Sequence, residues 1–386
     1  MTAKKIQEHE QLDILRDQID DLDHQLVELL ARRQEVVEEV IAFKKERQLP
    51  VYHPAREADM IDLRRNQGRK VGLDADYLEE IFRNIMRYSR STQTAEISRV
   101  GVRPGAQILI VGGGGGMGRL FYRWFTASGY RVKVLEIGDW ERVAELCADI
   151  DLALVSVPID KTVETIVRLS PHLPKDCILA DLTSVKGLSV KAMCDNFSGS
   201  VLGLHPMFGP DTRSMERQIV VVTPGREAAK DRWVAEQLTS WGGVVVRAEA
   251  QEHDEIMAVV QALRHFATFT FGRFLYQHRI DLNRTLEFSS PIYRLELDMV
   301  GRLFAQDPQL YSDIIFATPE RLQLLQEYLE SFKDNLAIVS DQVAGHGTGR
   351  EKFIQEFKQI AEWFGPFSDQ AIRESGYLID KLIERF

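Results

Sequence analysis

Apolar residues recur three and four positions apart along the amino-terminal part of the chain. These residues are Leu12, Leu15, Ile19, Leu22, Leu26, Leu29, Val36, Val40 and Phe43. The spacing predicts one long helix with a coiled-coil-like seam, which ends near Gln48 because Pro50 follows. Weaker helical patterns follow at Pro54–Gln67 and Asp74–Thr92.

Helical periodicity is lost between Thr94 and Gln107, where Gly101 and Pro104 predict a linker. Beyond the linker, short apolar runs alternate with helical stretches, and the runs are QILIVGG, YRVKVLE, DLALVSVP, CILADLTS, SVLGLHP and QIVVVTP. This alternation predicts a parallel-type sheet covered by helices. From about Glu252 the strand patterns vanish and helical patterns continue to the end.

The chain is therefore predicted to be multidomain, with an all-α three-helix domain, an α/β domain and a second all-α domain. We place the first helical domain at residues 1–95, a linker at 96–106, the α/β domain at 107–250 and the last helical domain at 251–386.

Composition and charge limit the kinds of molecule that the chain is expected to bind. The 386 residues carry a net charge of -10, which argues against a nucleic-acid or membrane-surface partner. Three cysteines show neither CxxC spacing nor a metal-type cluster with histidines, which favours packing roles in a reducing cytoplasm and no bound metal. No apolar run approaches the ~20 residues of a membrane span, so a cytoplasmic protein is expected.

A run of glycines, VGGGGGMGRLF, joins the first apolar run to a helical stretch. A flexible connector would have polar flanks, so this context favours a turn that holds phosphate groups at a helix N-terminus. Gly113 would permit the tight turn, Gly115 would let the backbone approach a pyrophosphate, and Gly118 would let helix and strand pack closely. Met117 in the same turn is assigned to the same cofactor site.

Glu136 ends the next predicted strand, at the spacing where an acidic residue binds the adenosine ribose hydroxyls. Together with the glycine turn it predicts a Rossmann-type dinucleotide-binding domain. Because a carboxylate repels a ribose 2′-phosphate, NAD is expected rather than NADP, although Arg131 and Lys133 lie nearby in the sequence.

Two segments, DLTSVKG and GLHPMFGP, follow later strand patterns and are expected to line the crevice at the carboxyl edge of the sheet. Pro206 pushes the residue before it toward extended geometry, so His205 lies outside a helix and is a candidate general base. A structural histidine is the alternative for His205. Ser184 and Lys186 are either site residues or ordinary turn residues.

In the last helical region, Arg302 lies three residues after Met299 and seven after Leu295, which places it on the apolar stripe of its helix. An arginine there needs an anion to offset its desolvation. Arg294 either joins it at a substrate or pairs with neighbouring acids on an exposed face. His265, taken alone, is more typical of a core histidine.

The first helix carries a cation where its seam should be apolar. Arg33 falls between Leu29 and Val36, and Lys44, eleven residues further, returns to the same face after about three turns. Arg16 falls about 100° around the helix from Arg33. A helix that served dimerisation alone would not place Arg33 in the seam, whereas a solvated helix face is the alternative for each cation.

These segments together resemble the T-protein family of tyrosine biosynthesis, in which an AroQ-type chorismate mutase is fused to a prephenate dehydrogenase. The similarity spans essentially the whole chain and rests on VGGGGGMGRLF, GLHPMFGP, QALRHFATF and SSPIYRLEL with MVGRLFAQDPQLY, and on ILRDQID, LLARRQE, IAFKKE and HPAREAD for the mutase. It implies rearrangement of chorismate to prephenate, then oxidative decarboxylation of prephenate with NAD to 4-hydroxyphenylpyruvate, CO2 and NADH.

For the dehydrogenase, the resemblance implies that His205 accepts the proton from the 4-hydroxyl of prephenate while hydride passes to NAD+. Ser184 would hydrogen-bond at that hydroxyl. Arg302 would bind the ring carboxylate, His265 would lie near the pyruvyl side chain, and Asp254 in EHDEIM would shape the same pocket.

For the mutase, the resemblance implies a unimolecular rearrangement that needs shape and charge rather than a nucleophile. Arg16, Arg33 and Arg56 would bind the two carboxylates of chorismate, with Arg16 reaching into the site of a partner subunit.

Four further mutase residues follow from the same resemblance. Lys44 and Gln93 would donate to the ether oxygen as negative charge grows there, while Glu57 and Ser89 would contact the substrate hydroxyl and the side-chain carboxylate. His53 departs from the family, whose members often carry an aspartate at that position, so no role is assigned to it.

A homodimer is expected because a long first helix cannot bury its seam alone, and the resemblance implies feedback inhibition by tyrosine. Two alternatives remain: a β-hydroxyacid dehydrogenase with a helical dimerisation arm, and a non-catalytic NAD-sensing regulator. The matches at Lys44 and Gln93 argue against the first alternative. The expected convergence of His205 and Arg302 on one crevice argues against the second.

Overall fold

The computed structural model describes residues 3–47, 54–97, 101–226, 232–343 and 347–383. The predictions for Pro50 and His53 lie outside these residues. The chain forms two compact units. The first unit comprises Met1–Val157, Glu164–Leu182 and Val190–Ala248, and the second comprises Pro158–Val163, Thr183–Ser189 and Glu249–Phe386.

Three helices form the amino-terminal part of the first unit, namely α1 (Ala3–Glu46), α2 (Pro54–Lys70) and α3 (Ala75–Ile97). Asp74 begins α3 by accepting hydrogen bonds from the backbone N–H groups of Asp76 and Tyr77, at 2.9 and 2.8 Å. Helix α3 ends at Ile97, past the predicted end near Thr92, because no glycine or proline interrupts the intervening residues.

A seven-stranded sheet follows in the order β2-β1-β3-β4-β5-β6-β7. Its strands are β1 (Gln107–Val111), β2 (Arg131–Leu135), β3 (Leu152–Val155), β4 (Ile178–Asp181), β5 (Ser200–Pro206), β6 (Ile219–Arg226) and β7 (Val244–Arg247). Neighbouring strands are parallel except β5 and β6, which pair antiparallel. The strand order reverses at β1, which is where open parallel sheets bind ligands.

Helices cover the sheet on both faces, and its central strands β1, β3 and β4 are buried almost throughout. They are α4 (Gly116–Ala127), α5 (Val143–Leu146), α6 (Ile159–Leu169), α7 (Lys186–Asn196) and α8 (Arg232–Ser240), with 3-10 turns at Ile137–Arg142 and Ser170–His172. One buried apolar cluster contains Ile108, Phe121 and Trp241, and the other contains Leu109 and Ile166.

Beyond β7 the described residues are helical. The helices are α9 (Ala250–Met257), α10 (Arg264–Gln277), α11 (Leu282–Glu287), α12 (Pro291–Phe304), α13 (Pro308–Ile315), α14 (Pro319–Val343), α15 (Gly349–Phe364) and α16 (Pro366–Ile383). A π-helical turn, Ala258–Leu263, separates α9 from α10. The succession of helical, α/β and helical parts confirms the predicted fold class.

None of the described helices combines the length and the apolar composition that crossing a bilayer requires. Cys147, Cys177 and Cys194 are free thiols. Burial raises the pKa of Cys147 to about 11 and that of Cys177 to about 12, as expected for thiols that serve packing.

Candidate active sites

The glycine run forms the turn between β1 and α4. Gly112 has a φ of 81°, and its N–H donates to the carbonyl oxygen of Leu135 over 2.9 Å. The tight turn, predicted at Gly113, is therefore at Gly112, because the backbone turns directly after the last residue of β1. Gly113 is needed for space instead, since an added Cβ would lie 2.7 Å from the side chain of Val134.

Gly118 marks the close approach of helix α4 to this turn. A Cβ added at Gly118 would lie 2.8 Å from the Cα of Gly113 and closer still to the carbonyl oxygen of Gly112. Gly115 is the N-cap of α4 and donates its N–H to Gly112 over 3.1 Å, while Met117 packs against the sheet core. A bare backbone at a helix N-terminus fits the pyrophosphate of a dinucleotide.

Glu136 follows β2 and reaches back to the glycine turn. Its Oε1 accepts a hydrogen bond from the N–H of Gly114 over 2.5 Å, and its own N–H donates to Asp139 over 2.9 Å. The carboxylate thus lies beside the turn, as ribose binding requires, and the set of residues fits NAD. Ile137, the residue after Glu136, was not predicted from the sequence as a site residue. Its side chain is 93% exposed.

His205 lies near the end of β5, where its Cα pairs with Val221 of β6. The side chain is only 4% exposed. Because β1, β3, β4 and β5 are parallel, their carboxyl ends meet at one edge of the sheet, and His205 lies at the same edge as the glycine turn.

Ser184 and Asp254 lie around the first turn of α7. The Asp254 carboxylate accepts hydrogen bonds from the N–H groups of Lys186 and Gly187, both at 2.8 Å, and lies 2.8 Å from Nδ1 of His253. Burial raises the pKa of Asp254, but these hydrogen bonds lower it to below its ordinary value. The buried Ser184 Oγ has no hydrogen-bond partner among the described residues, which leaves its hydroxyl for a ligand.

His265 and Tyr311 form an aromatic pair in the carboxy-terminal helices. Their rings meet edge-on with centroids 4.8 Å apart, and the buried Nδ1 of His265 has no partner among the described residues. Burial and the charge of Arg264 lower the pKa of His265 to about 4, so the imidazole is neutral at pH 7. Burial raises the pKa of Tyr311, while the nearby charges of Arg264 and Arg302 act against that rise.

The buried stripe of α12 runs through Val300 and Leu303. Arg302 is exposed, so the prediction that it lies on the apolar stripe is wrong, because the buried face is centred on the neighbouring positions. Arg294 is partly buried, and its Nη2 donates to the carbonyl oxygen of Leu286 over 3.3 Å.

Arg33, the cation in the apolar seam of α1, contacts helix α3. Arg33 Nη1 donates to Ser89 Oγ over 2.6 Å, and the Ser89 hydroxyl donates to the carbonyl oxygen of Ile85 over 3.0 Å. Burial lowers the pKa of Arg33, and the like charge of Arg64 lowers it further. The solvated helix face proposed as the alternative for Arg33 is therefore not what this structure has.

Lys44, Arg56 and Glu57 form a second charged group on α1 and α2. Burial lowers the pKa of Lys44, the charge of Arg56 lowers it further, and the charge of Glu57 acts in the opposite direction. A half-buried lysine held beside an arginine in an acidic chain is typical of a site for a small anion.

Arg16 and Gln93 remain predictions at this site. Arg16 is exposed, and its Nη1 donates to Asp13 over 3.1 Å on the same helix. The side chain of Gln93 lies outside the described residues.

Arg90, directly after Ser89, was not predicted from the sequence. Its guanidinium donates to the carboxylates of Glu57 and of Glu216, which lies in the segment before β6. No sequence signal could have identified this contact, because the two acids lie 33 and 126 positions away from Arg90.

The two groups of residues define the class of the chain as a dinucleotide-dependent dehydrogenase joined to a helical domain with a cationic site. Family models match three consecutive parts of it. They are chorismate mutase type II at residues 15–94, the nucleotide-binding domain of prephenate dehydrogenase at 130–249 and the dimerization domain of prephenate dehydrogenase at 249–359.

Two relatives match over nearly the whole length. The T-protein of Enterobacter agglomerans is 43% identical and that of Haemophilus influenzae is 41% identical, each alignment covering 96% of this chain and 97% of the relative. The fold resembles the crystal structure of prephenate dehydrogenase from A. aeolicus in complex with hydroxyphenyl propionate and NAD+, with a TM-score of 0.53, 20% identity, and coverage of 67% of this chain and 99% of that one.

The chain belongs to the T-protein family. It combines a chorismate mutase with an NAD-dependent prephenate dehydrogenase of tyrosine biosynthesis, which confirms the predicted family, function and cofactor. The two alternatives, a dehydrogenase without mutase activity and a non-catalytic NAD sensor, are thereby excluded.

Proposed function

We propose that Arg33, Lys44 and Arg56 bind chorismate and that Lys44, with Gln93, drives its rearrangement. The observation that carries this proposal is that Arg33 and Lys44 of α1 are half-buried and each lies near a further cation of α2, so that burial and like charge both lower the pKa of each. The two carboxylates of chorismate relieve that repulsion when they bind. Binding energy then holds the compact conformer from which the rearrangement proceeds.

The rearrangement moves negative charge onto the ether oxygen as its bond to carbon breaks. A lysine that is already desolvated interacts strongly with that growing charge, so Lys44 stabilises the transition state more than the ground state. Ser89, held by Arg33, contacts the side-chain carboxylate, and Glu57 accepts a hydrogen bond from the substrate hydroxyl. Arg16, exposed in the single chain, completes the site of a partner subunit.

For the dehydrogenase, we propose that Gly113, Gly115, Met117, Gly118 and Glu136 hold NAD. When bound, NAD+ supplies the hydride acceptor. The His205 imidazole takes the proton of the 4-hydroxyl of prephenate, and the hydroxyl of Ser184 hydrogen-bonds at the same oxygen. Loss of CO2 makes the ring aromatic, which makes the step irreversible.

The other proposed dehydrogenase residues bind prephenate or shape its pocket. Arg302 is proposed to bind the ring carboxylate, with Arg294 as a second cation on the same helix. His265, neutral at pH 7, offers a hydrogen bond to the pyruvyl side chain without adding charge. Asp254 holds the first turn of α7, which carries the segment that includes Ser184.

At the level of assembly and regulation, we propose a homodimer, inhibition by tyrosine, and a cytoplasmic location. Support for the dimer comes from the match to a dimerization domain and from the exposed seam of α1, where Leu22 is 63% exposed. Tyrosine inhibition rests on the family resemblance. The free thiols and the NAD dependence support the cytoplasm.

Two substitutions test the assignment of separate sites. Lys44→Ala is expected to lower chorismate mutase turnover at least about 100-fold while oxidation of added prephenate continues.

His205→Asn is expected to lower dehydrogenase turnover at least about 100-fold while the mutase and NAD binding persist. Both activities are followed spectrophotometrically on purified, folded protein.

The matched control is Lys191→Ala, because Lys191 is an exposed lysine of α7 that pairs only locally with Asp195 in its helix. Both activities should stay within about 2-fold of the parent protein in this variant. Loss of both activities in a folded Lys44→Ala protein would contradict two separate sites, and an active His205→Asn protein would remove His205 as the base.

A further inference from the structure

Two carboxylates from different parts of the first unit meet on one buried arginine. Arg90 Nη1 donates to both oxygens of Glu57 at 2.5 Å, and Arg90 Nε donates to Glu216. The side chains of Arg90, Glu57 and Glu216 are 9%, 19% and 14% exposed. Burial would lower the pKa of Arg90, but the hydrogen bonds to both acids raise it above its ordinary value.

Glu216 comes from a turn that is fixed by its own backbone. Arg217 has a φ of 58°, and its N–H donates to the carbonyl oxygen of Gly242 over 2.8 Å. Gly242 itself has a φ of 91°, and a Cβ there would lie 3.2 Å from the Cα of Glu216. A non-glycine residue in the left-handed region stays there only when its surroundings enforce it, so the position of Glu216 is set by the sheet domain.

The same turn reaches Glu57 directly. Arg217 Nη2 donates to Glu57 Oε2 over 3.1 Å, so the Glu57 carboxylate lies between two guanidinium groups. The Arg217 side chain is 46% exposed, so its contact is weak, whereas the Arg90 side chain is 9% exposed. Arg90 also directly follows Ser89 in α3. The contact with Arg33 and the contact with Glu57 are therefore made by adjacent residues of one helix.

We call the contacts of Arg90 with Glu57 and Glu216 the bridge. The geometry of the guanidinium determines what this bridge can do. A guanidinium is planar and presents its donors in a fixed fork, so a carboxylate on Nε fixes the direction in which Nη1 points. With Glu216 in place, Arg90 can hold the Glu57 carboxylate in one orientation. Without it, the fork loses that anchor and the Glu57 carboxylate is free to turn.

We propose that Arg90 is a positioning residue through which Glu216, in the nucleotide-binding part of the chain, fixes the Glu57 carboxylate for the mutase reaction. The inference rests on the proposed contact between Glu57 and the substrate hydroxyl. It makes the mutase site dependent on a residue outside the mutase helices.

Glu216→Gln tests the bridge, because it keeps the size of the side chain and removes its charge. Chorismate mutase kcat is expected to fall about 3- to 10-fold. The KM for chorismate should not rise, since losing a negative charge does not weaken attraction for a dianion. Oxidation of added prephenate should be unchanged. The matched control is Glu236→Gln, an exposed acid of the same unit whose partner is Arg232, and both activities should be unchanged in it.

Arg90→Lys is the second variant, because lysine keeps the charge but cannot hold two carboxylates in a fixed fork. It should reproduce the loss of mutase kcat. A double-mutant cycle then separates positioning from general stabilisation. If Glu216 acts through Glu57, the double variant Glu57→Gln with Glu216→Gln should be no slower than Glu57→Gln alone.

Each outcome is decisive. Unchanged mutase kcat in Glu216→Gln, losses that add in the double variant, or a parallel loss of dehydrogenase activity would overturn the bridge while leaving the role of Glu57 intact. If Glu57→Gln itself keeps full mutase turnover, the proposed contact of Glu57 with substrate fails and the bridge fails with it.

Discussion

Arg33 and Lys44 are charged side chains at half-buried positions, where both burial and a neighbouring cation act against the charged form. A protein that holds Arg33 near Arg64 and Lys44 near Arg56 is less stable by that repulsion unless an anion is bound. Chorismate, with two carboxylates, is an anion of the required charge. The residues proposed to bind the substrate are therefore also those whose repulsion its binding would relieve.

His265 illustrates the opposite case of a side chain kept neutral. Its pKa is lowered to about 4, chiefly by burial and then by Arg264, whereas an unfolded histidine titrates near about 6.5. Because the unfolded chain takes up the proton first, this residue favours the folded state above about pH 6.5, and that contribution is lost as the pH falls toward about 4.

We therefore expect His265→Gln to flatten the pH dependence of unfolding between pH 6.5 and 4, as measured by the urea midpoint at several pH values. His24→Gln is the control, since His24 is exposed on α1 and its partner is Glu28. A midpoint that falls as steeply with acid in His265→Gln as in the parent protein would show that His265 is not held neutral.

The role of a residue could be predicted from the sequence where that role depends on residues nearby in the chain. Arg33 could be predicted because helical periodicity alone places it in the seam. Arg90 could not, since its role depends on Glu216, 126 positions away. The predicted position of Arg302 on a buried stripe failed for a similar reason, because the packing partners of α12 decide which of its faces is buried.

At the scale of elements, the junction of β1 and α4 is where packing and cofactor binding coincide. The helix can approach the strand only because Gly118 lacks a side chain, since its Cβ would lie 2.8 Å from Gly113 Cα. The same approach leaves the N-terminus of α4 beside the glycine turn, where the dinucleotide phosphate is proposed to bind.

Gly118→Ala is expected to lower affinity for NAD+ at least about tenfold, because the added methyl group forces helix and turn apart. The mutase should remain active, since Gly118 lies outside its helices. Gly138→Ala is the matched control, because a Cβ there meets nothing within 4 Å. Affinity is measured by fluorescence titration with NAD+, and unchanged binding in Gly118→Ala would remove the glycine turn from the cofactor site.

The elements themselves follow from sequence patterns more directly than their directions do. Apolar runs separated by helical stretches predicted the sheet, and the long seam predicted α1. The antiparallel pairing of β5 and β6 was not predicted, because a buried strand has the same pattern in either direction. The left-handed turn at Gly112 was placed one residue late, since every position in the glycine run permits it.

At the scale of the whole molecule, two reactions that need different chemistry occur on one chain. The mutase needs only charge and shape, so it should run without a cofactor. The dehydrogenase needs NAD and a base. The product of the first reaction is the substrate of the second, and a carboxylate from the nucleotide-binding part contacts the mutase helices through Arg90.

The two activities are separated by giving purified protein chorismate alone and then adding NAD+. The absorbance of chorismate should decline before NAD+ is present, and NADH should then form together with 4-hydroxyphenylpyruvate. If chorismate persists while added prephenate is oxidised, the amino-terminal helices are not a working mutase, and the roles proposed for Arg33 and Lys44 are wrong.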